Sequence, residues 1–440
     1  MSNWKLYKFS DFVDINPKVT LKKGVEYSYV EMKDLSEGNK FVLPSQKREI
    51  TGGSRFENGD TLFARITPCL ENGKICQVKG LNNGVGFGST EFLVFRGKAG
   101  ISDTNFVHYL SLSEEVRKFA EQNMVGTSGR QRVSWQAFEN LELSLPDLPT
   151  QTAIAEILSS LDDKIELNNK INQELENLAQ TLFKQWFIDF EFPIRLNHDF
   201  QDEQMNKMIE PKSSKSSNPA NQASDTYRSS GGEMVDSELG EIPKGWKVKS
   251  LDEIADYLNG LALQKFPTKN DKDFFHVIKI RELRQGITNS TDKANIEIPE
   301  KYIIQNGDVL FAWSGSLMID LWTNGEGALN QHLFKVTSGQ YPKWFYFYWT
   351  KHHLDEFIKI AESKATTMGH IQRKHLTEAK VVVPNLEKLS QFNDSFENIV
   401  DKIISNRIEN QELTNLRDTL LSKLITGELA INSLNLDLQD

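Results

Sequence analysis

Along two long stretches of the chain, apolar residues recur at alternating spacings of four and three, and these stretches predict its longest elements. In the first, Ile154, Leu158, Leu161, Ile165, Leu175, Ala179, Leu182 and Trp186 share one helix face, with Asn168 and Asn172 the polar members of that seam. In the second, Phe392, Phe396, Ile399, Ile403, Leu413, Leu420 and Leu424 do the same, with Asn406, Asn410 and Arg417 as polar members. A heptad seam sustained this long is a coiled-coil signature. A helix of about 36 residues spans about 54 Å and cannot bury its stripe within itself, so each helix needs a long partner. The Asn pairs lie near the midpoints of both helices. An antiparallel pair therefore lays amide against amide, whereas a shifted register buries amides against Leu or Ile at about 1–3 kcal/mol each. The pattern predicts an antiparallel pair with pseudo-twofold symmetry.

Outside these stretches the pattern shortens. The runs Thr61 to Ile66, Phe92 to Phe95, Val309 to Trp313 and Leu333 to Val336 have the length and the β-branched or aromatic content of strands, and helical patterns cover Asn105 to Gln122 and Pro342 to Ser363. The chain also repeats itself. Trp4-Lys5-Leu6 returns as Trp246-Lys247-Val248, and Asn58-Gly59-Asp60-Thr61-Leu62-Phe63-Ala64 returns as Asn306-Gly307-Asp308-Val309-Leu310-Phe311-Ala312. Leu141 to Leu182 matches Ala379 to Leu420 at a constant offset of 238. The expected architecture is mixed α/β. Two similar domains span 1–148 and 241–386, long helices span 149–192 and 387–430, and a tail covers 431–440. The stretch 193–240 contains Pro211 to Pro219 and Ser229-Ser230-Gly231-Gly232, a polar composition that predicts a flexible linker.

Composition agrees with folded domains: the 440 residues are 38% hydrophobic, with 26 Phe and 8 Trp. No run approaches the roughly 18 apolar residues of a membrane span, and Met1 to Ser10 has no signal-peptide core, so a cytoplasmic location is expected. Cys69 and Cys76 fit neither a disulfide framework nor a metal knuckle. A net charge of −10 argues against a nucleic-acid partner until its distribution is counted. Segments 151–192 and 389–440 carry −5 each and 193–240 carries −3, which leaves the two large domains near neutral.

Motifs of catalysis are missing. Gly84-Val85-Gly86-Phe87-Gly88 opens no helix and reads as a turn before a strand, and Gly73-Lys74 and Gly97-Lys98 lack the rest of a phosphate loop. Asp14 with Glu31-Met32-Lys33 has a loose nuclease-like pattern that the second copy does not repeat, and His352-His353 has no third ligand at metal spacing. Enzymatic activity and a bound metal are not expected of this chain. Two polar loops do stand at matching places: Gly126-Thr127-Ser128-Gly129-Arg130-Gln131-Arg132 and Lys364-Ala365-Thr366-Thr367-Met368-Gly369-His370. Small hydroxyl residues, backbone NH groups and cations suit phosphate contacts, while Arg and Gln reach base edges.

With these loops, Leu62 to Pro68, Glu238 to Trp246, Asn330-Gln331-His332-Leu333-Phe334-Lys335-Val336 and Leu424 to Leu429 make the sequence resemble the specificity subunit of type I restriction-modification systems. The resemblance implies two DNA target-recognition domains, each reading half of a split asymmetric site, joined by an antiparallel helical spacer. It also implies double-stranded DNA, two methyltransferase subunits and two restriction/translocase subunits as partners. S-adenosylmethionine, ATP and Mg would then belong to the partner subunits.

The candidate DNA contacts are Arg65, Lys74, Thr127, Ser128, Gly129, Arg130, Gln131 and Arg132 in the first copy. In the second they are Ser314, Gln331, His332, Lys364, Thr366, Thr367, Gly369 and His370. Trp313-Ser314-Gly315 replaces Arg65-Ile66-Thr67, which fits unlike half-sites. The end of the first helix, Leu182 to Phe192, is apolar on several faces and must be covered, either by the chain's own second domain or by another subunit. The resemblance favours a subunit, with Phe183, Trp186, Phe187, Leu421, Leu424 and Ile425 as its contacts. The alternative function is a coiled-coil scaffold whose end domains bind proteins and not DNA.

Overall fold

The structure, a computed structural model, describes residues 4–127, 129–194, 226–270, 272–363 and 369–431. It comprises two compact units, Met1–Leu167 with Asn410–Asp440, and Asn168–Glu409. The long helices are Leu148–Phe183 and Leu386–Ile425, and each contributes to both units. Each starts on a side-chain cap. The Asp147 carboxylate accepts from the Thr150 NH at 3.2 Å, and the Asn385 amide oxygen accepts from the Lys388 NH at 2.8 Å. Both caps satisfy an NH that the first helical turn leaves without a partner. Among the described residues no helix is long and apolar enough to cross a membrane.

Within the second unit the helices run antiparallel. The Asn406 amide donates to the Asn172 oxygen at 2.8 Å, Asn172 donates to the Ile403 carbonyl at 3.4 Å, and Asn168 donates to Glu409 at 2.8 Å. Amide meets amide for Asn172 and Asn406, as their midpoint position predicts, and Asn168 donates to a carboxylate. Within the first unit the seam holds a buried ion pair, Arg417 to Asp162 at 2.7 Å, with the two side chains only 5% and 3% exposed. Two seam positions differ from expectation. Asp162 and Phe183 are buried, whereas Leu161 and Leu182 are half-buried, because a straight helix at 3.6 residues per turn drifts from a 3.5-residue stripe.

The duplication is visible in the sheets. In the first unit, Val13–Ile15, Phe92–Gly97, Thr61–Ala64, Ile75–Val78 and Phe41–Val42 form one sheet in that order, and Gln46–Glu49, Glu26–Val30, Val85–Gly88 and Ser54–Glu57 form another. In the second unit, Asp256–Asn259, Leu333–Thr337, Val309–Ala312 and Met318–Leu321 repeat the first order without its last strand. Lys293–Asn295, Phe274–Ile278, Gly327–Leu329 and Ile303–Ile304 repeat the second. Even the parallel pairing recurs, Ser28 opposite Gly86 and His276 opposite Gly327. The glycines of the 84–88 run serve this pairing, since a Cβ on Gly88 would come within 2.5 Å of the Val30 carbonyl oxygen. The central strands Thr61–Ala64 and Val309–Ala312 are buried throughout, which is why they read as continuous apolar runs.

Three features depart from the sequence reading. The helix expected over 105–122 is two, Thr104–Leu112 and Glu114–Gln122, with the Ser113 hydroxyl capping the second on the Val116 NH at 3.4 Å. The one expected over 342–363 breaks likewise into Lys343–His352 and Leu354–Ser363. The end of the 193–240 linker is ordered: Met234–Ser237 pairs with Gly240–Pro243 in a hairpin, and Tyr227 stacks on Phe192 at 4.7 Å. An aromatic seat holds a segment that a count of its Ser and Gly residues marks as flexible. Residues 195–225 and 432–440, the rest of that linker and most of the tail, lie outside the described residues.

Candidate nucleic-acid interface

In each unit the end of the central strand is held by the same three backbone hydrogen bonds, two of which reach the polar loop or the residue that follows it. In the first, Arg65 NH donates to Glu91 O at 3.0 Å, Val133 NH to Arg65 O at 2.9 Å, and Thr67 NH to Gln131 O at 3.0 Å. In the second, Trp313 NH donates to His332 O at 3.4 Å, Ile371 NH to Trp313 O at 3.0 Å, and Gly315 NH to Gly369 O at 2.8 Å. Ile66 bridges Arg132, and Ser314 bridges His370. Glu91 thus occupies the place of His332, Arg65 that of Trp313, Ile66 that of Ser314 and Arg132 that of His370. The backbone frame is common, and the chemistry on it is not.

On the first frame the side chains form a charged cluster. The Arg132 guanidinium clasps both oxygens of Glu91 at 2.8–3.0 Å, and the Glu91 hydrogen bond holds that guanidinium above its ordinary pKa. Arg65 lies 3.9 Å from the same carboxylate, and its Nε is buried without a hydrogen-bond partner. It lines a cleft of about 340 Å³ together with Asn16, Lys18, Ser54, Arg55 and Thr90, three cations around one opening. Beside it, Thr127, Gly129 and Arg130 are exposed, and the Gln131 NH is fixed by the Thr67 hydroxyl at 3.1 Å. Lys74 is committed elsewhere, with its ammonium on the Met32 carbonyl at 3.0 Å.

On the second frame the cluster is built from aromatic and polar side chains. Ser314 is buried and shares a hydrogen bond with His332 Nδ1 at 2.9 Å, while Gln331 reaches His332 Nε2 at 3.4 Å. The Trp313 ring lies 6.1 Å from His332 and 6.2 Å from the exposed His370, and its Nε1 donates to Asn259 at 2.9 Å. Gly369 sits against Ala361, where a Cβ would come within 2.7 Å of the carbonyl oxygen. Ser128 in the first loop, and Lys364, Thr366 and Thr367 in the second, lie outside the described residues. Among the described residues no group of three His, Cys, Asp or Glu is placed to hold a metal ion.

Glu91, Lys18 and Arg55 escape the sequence reading. An acid is not sought at a phosphate-binding surface, and only the sheet brings residues 18, 55 and 65 together. The alignment of Glu91 with His332 of the Asn330-Gln331-His332 run was the available signal for Glu91.

The partner contacts need correction. Phe183, Trp186 and Phe187 are 4%, 2% and 0% exposed, packed in the second unit's own core. Phe187 meets Trp246, Trp344, Phe345 and Phe392 at ring distances of 5.6–5.8 Å, and Trp186 meets Phe392 at 4.8 Å. Leu421, Leu424 and Ile425 are buried in the core of the first unit. Of the two coverings the apolar end admits, the chain itself supplies it, and these six side chains offer no surface to a subunit. The helix closes there in one wider turn, Lys184–Ile188, whose Asp189 NH reaches back to the Lys184 carbonyl at 2.9 Å.

Comparison with known proteins agrees with the duplicated architecture. Residues 1–177 and 243–415 match the family described as the type I restriction modification DNA specificity domain. The chain is 26% identical to the type I restriction enzyme HindI specificity subunit of Haemophilus influenzae, over 98% of this chain and 100% of the relative. It is 23% identical to the MjaIX specificity subunit of Methanocaldococcus jannaschii, over 98% and 95%. A crystal structure of a type I restriction-modification S subunit from M. genitalium shares the fold, with a TM-score of 0.50 at 15% identity and 96% of each chain covered. With both copies matched over most of its length, the chain belongs to the family of type I restriction-modification DNA specificity subunits.

Proposed function

We propose that each unit reads one half of a split, asymmetric DNA site through the loop-and-strand-end frame. The observation that carries this reading is the same frame built twice with unlike side chains: Arg65, Glu91, Arg130 and Arg132 on one, Trp313, Ser314, His332 and His370 on the other. A shared frame suits a shared backbone geometry of duplex DNA, and unlike side chains suit unlike base sequences. The chain is then non-catalytic. Two methyltransferase subunits and two restriction/translocase subunits would perform the chemistry, with S-adenosylmethionine, ATP and Mg as their cofactors. Arg132 is held by Glu91, whereas Arg130 stands exposed at the loop, so Arg130 is the residue to test.

The experiment is equilibrium binding of the reconstituted complex to a DNA fragment containing its methylated site, across salt concentrations. Arg130→Ala should flatten the salt dependence by about one phosphate contact if it holds phosphate, or relax one half-site in the methylome if it holds a base. Unchanged affinity, salt slope and site preference would remove the first loop from the interface. No binding to the fragment at any salt concentration would favour a protein-binding scaffold instead.

A further inference from the structure

The helix seam holds two kinds of polar layer. The Asn positions repeat, because Asn168 and Asn172 correspond to Asn406 and Asn410 at the offset of 238. If the first long helix paired antiparallel with the same helix of a second copy, amides would again face amides. These layers set orientation and register, and they do not distinguish the second helix from another first helix. The ion pair does not repeat. At the same offset Val400 stands for Asp162 and Ala179 for Arg417, and both are buried in the second unit.

The ion pair is fully built. Asp162 accepts from Arg417 at 2.7 Å and from the Tyr109 hydroxyl at 2.6 Å, and Arg417 also donates to the Gly38 carbonyl at 2.9 Å. We propose that Asp162 and Arg417 select the partner of each helix, so that the first helix accepts a second helix and rejects its own kind. Pairing of two first helices would set each Asp162 opposite Ala179, and pairing of two second helices would set each Arg417 opposite Val400. Either arrangement takes from each buried charge its buried partner across the seam, leaving Asp162 with the Tyr109 hydroxyl and Arg417 with the exposed Asp418 of its own helix, and this is far worse than the hydrophobic pair it displaces. The excluded occupant is a second copy of this chain joined through like helices.

The test uses the full chain carrying Asn169→Cys, an exposed position on the flank of the seam, with Cys69→Ser to remove the half-buried thiol. The register that sets Asp162 opposite position 179 in a like pair brings position 169 within one helical turn of 169 in the other copy, so a short bis-maleimide reports that pair. After unfolding and refolding at high concentration, Asp162→Val with Arg417→Ala makes the seam symmetric and should raise the cross-linked dimer by about tenfold or more over the native seam. Asp162→Arg with Arg417→Asp keeps opposite charges and should stay at the native yield. Equal yields from the native and symmetric seams would overturn the proposal, as would equal yields from the symmetric and charge-reversed seams. A symmetric chain that fails to refold would also count against it, because the Val400 and Ala179 seam of the second unit is folded with that composition.

Discussion

At the residue scale, two buried polar groups decide how the protein responds to change. His108 is fully buried in the first unit, its Nδ1 3.5 Å from the Thr61 hydroxyl and its Nε2 without a partner. Burial, with Lys40 and Arg417 as neighbouring cations, pushes the imidazole down to about 3. Below pH of about 6.5 the unfolded chain takes up a proton that the folded chain refuses, so stability falls as pH falls, by about 1.4 kcal/mol per unit. His108→Gln should remove about 2 kcal/mol of the stability difference between pH 7 and pH 5. Urea unfolding of both proteins at the two pH values checks it, and an unchanged difference would mean that this imidazole takes up its proton as readily in the folded chain as in the unfolded one. Asn172 accepts from Asn406, whose side chain is 0% exposed. Asn172→Leu should cost about 1–3 kcal/mol by stranding that donor, and adding Asn406→Leu should recover much of it. A double variant less stable than the single would contradict the pairing. The repeated Asn-Gly-Asp run is explained at the same scale. Asp60 accepts from the Glu57 NH and Asp308 from the Gln305 NH, while Arg96 and Lys335 from the adjacent strands pair with them, so this run builds a turn and not a binding site.

At the scale of elements, the end of the first long helix shows how far a pattern can be read. Its aromatic residues say that something must cover them. Whether the cover is a subunit or the chain's own domain depends on contacts some 60 to 200 residues away, with Trp246, Trp344 and Phe392. Since the cover is internal, Phe187→Ala should destabilise the protein by about 3–5 kcal/mol through the lost contacts and the cavity left behind. Chemical unfolding measures this. A loss below about 1 kcal/mol, with a methyltransferase subunit released, would return the residue to a docking role. The helix breaks at Ser113 and His353 were illegible for a related reason, since apolar periodicity continues across both. The hairpin at 234–243 was hidden by composition: Ser and Gly dominate the counts upstream, but Tyr227 and Ile242 bind the segment to the core.

At the scale of the whole molecule, the duplication sets the expectation for DNA. Under the proposed function the two long helices determine the gap between half-sites. Four residues inserted into both helices at the Asn layers add about 6 Å of helix, and the preferred gap should lengthen by one or two base pairs with each half-site unchanged. Methylome sequencing of cells carrying the variant reads the gap directly. An unchanged gap would show that the helices do not set it.

The chain's linear order determined the features that rest on local periodicity: two long helices, the Asn register, the duplicated domains and the strand lengths of their centres. A 3.5-residue stripe or a buried strand is written in neighbouring residues, and a repeat shows itself by offset alone. Tertiary structure alone decided which polar residues meet. Asp162 carries no apolar signal, and its place in the seam follows from helix drift and from Arg417, 255 residues away. Glu91, Arg65 and Arg132 converge because a bridge joins positions 66 and 132, and Lys18 and Arg55 join the same cleft through the sheet. Charge pairing and concave surfaces depend on distances that chain spacing does not carry, which is why the scaffold was legible before the site.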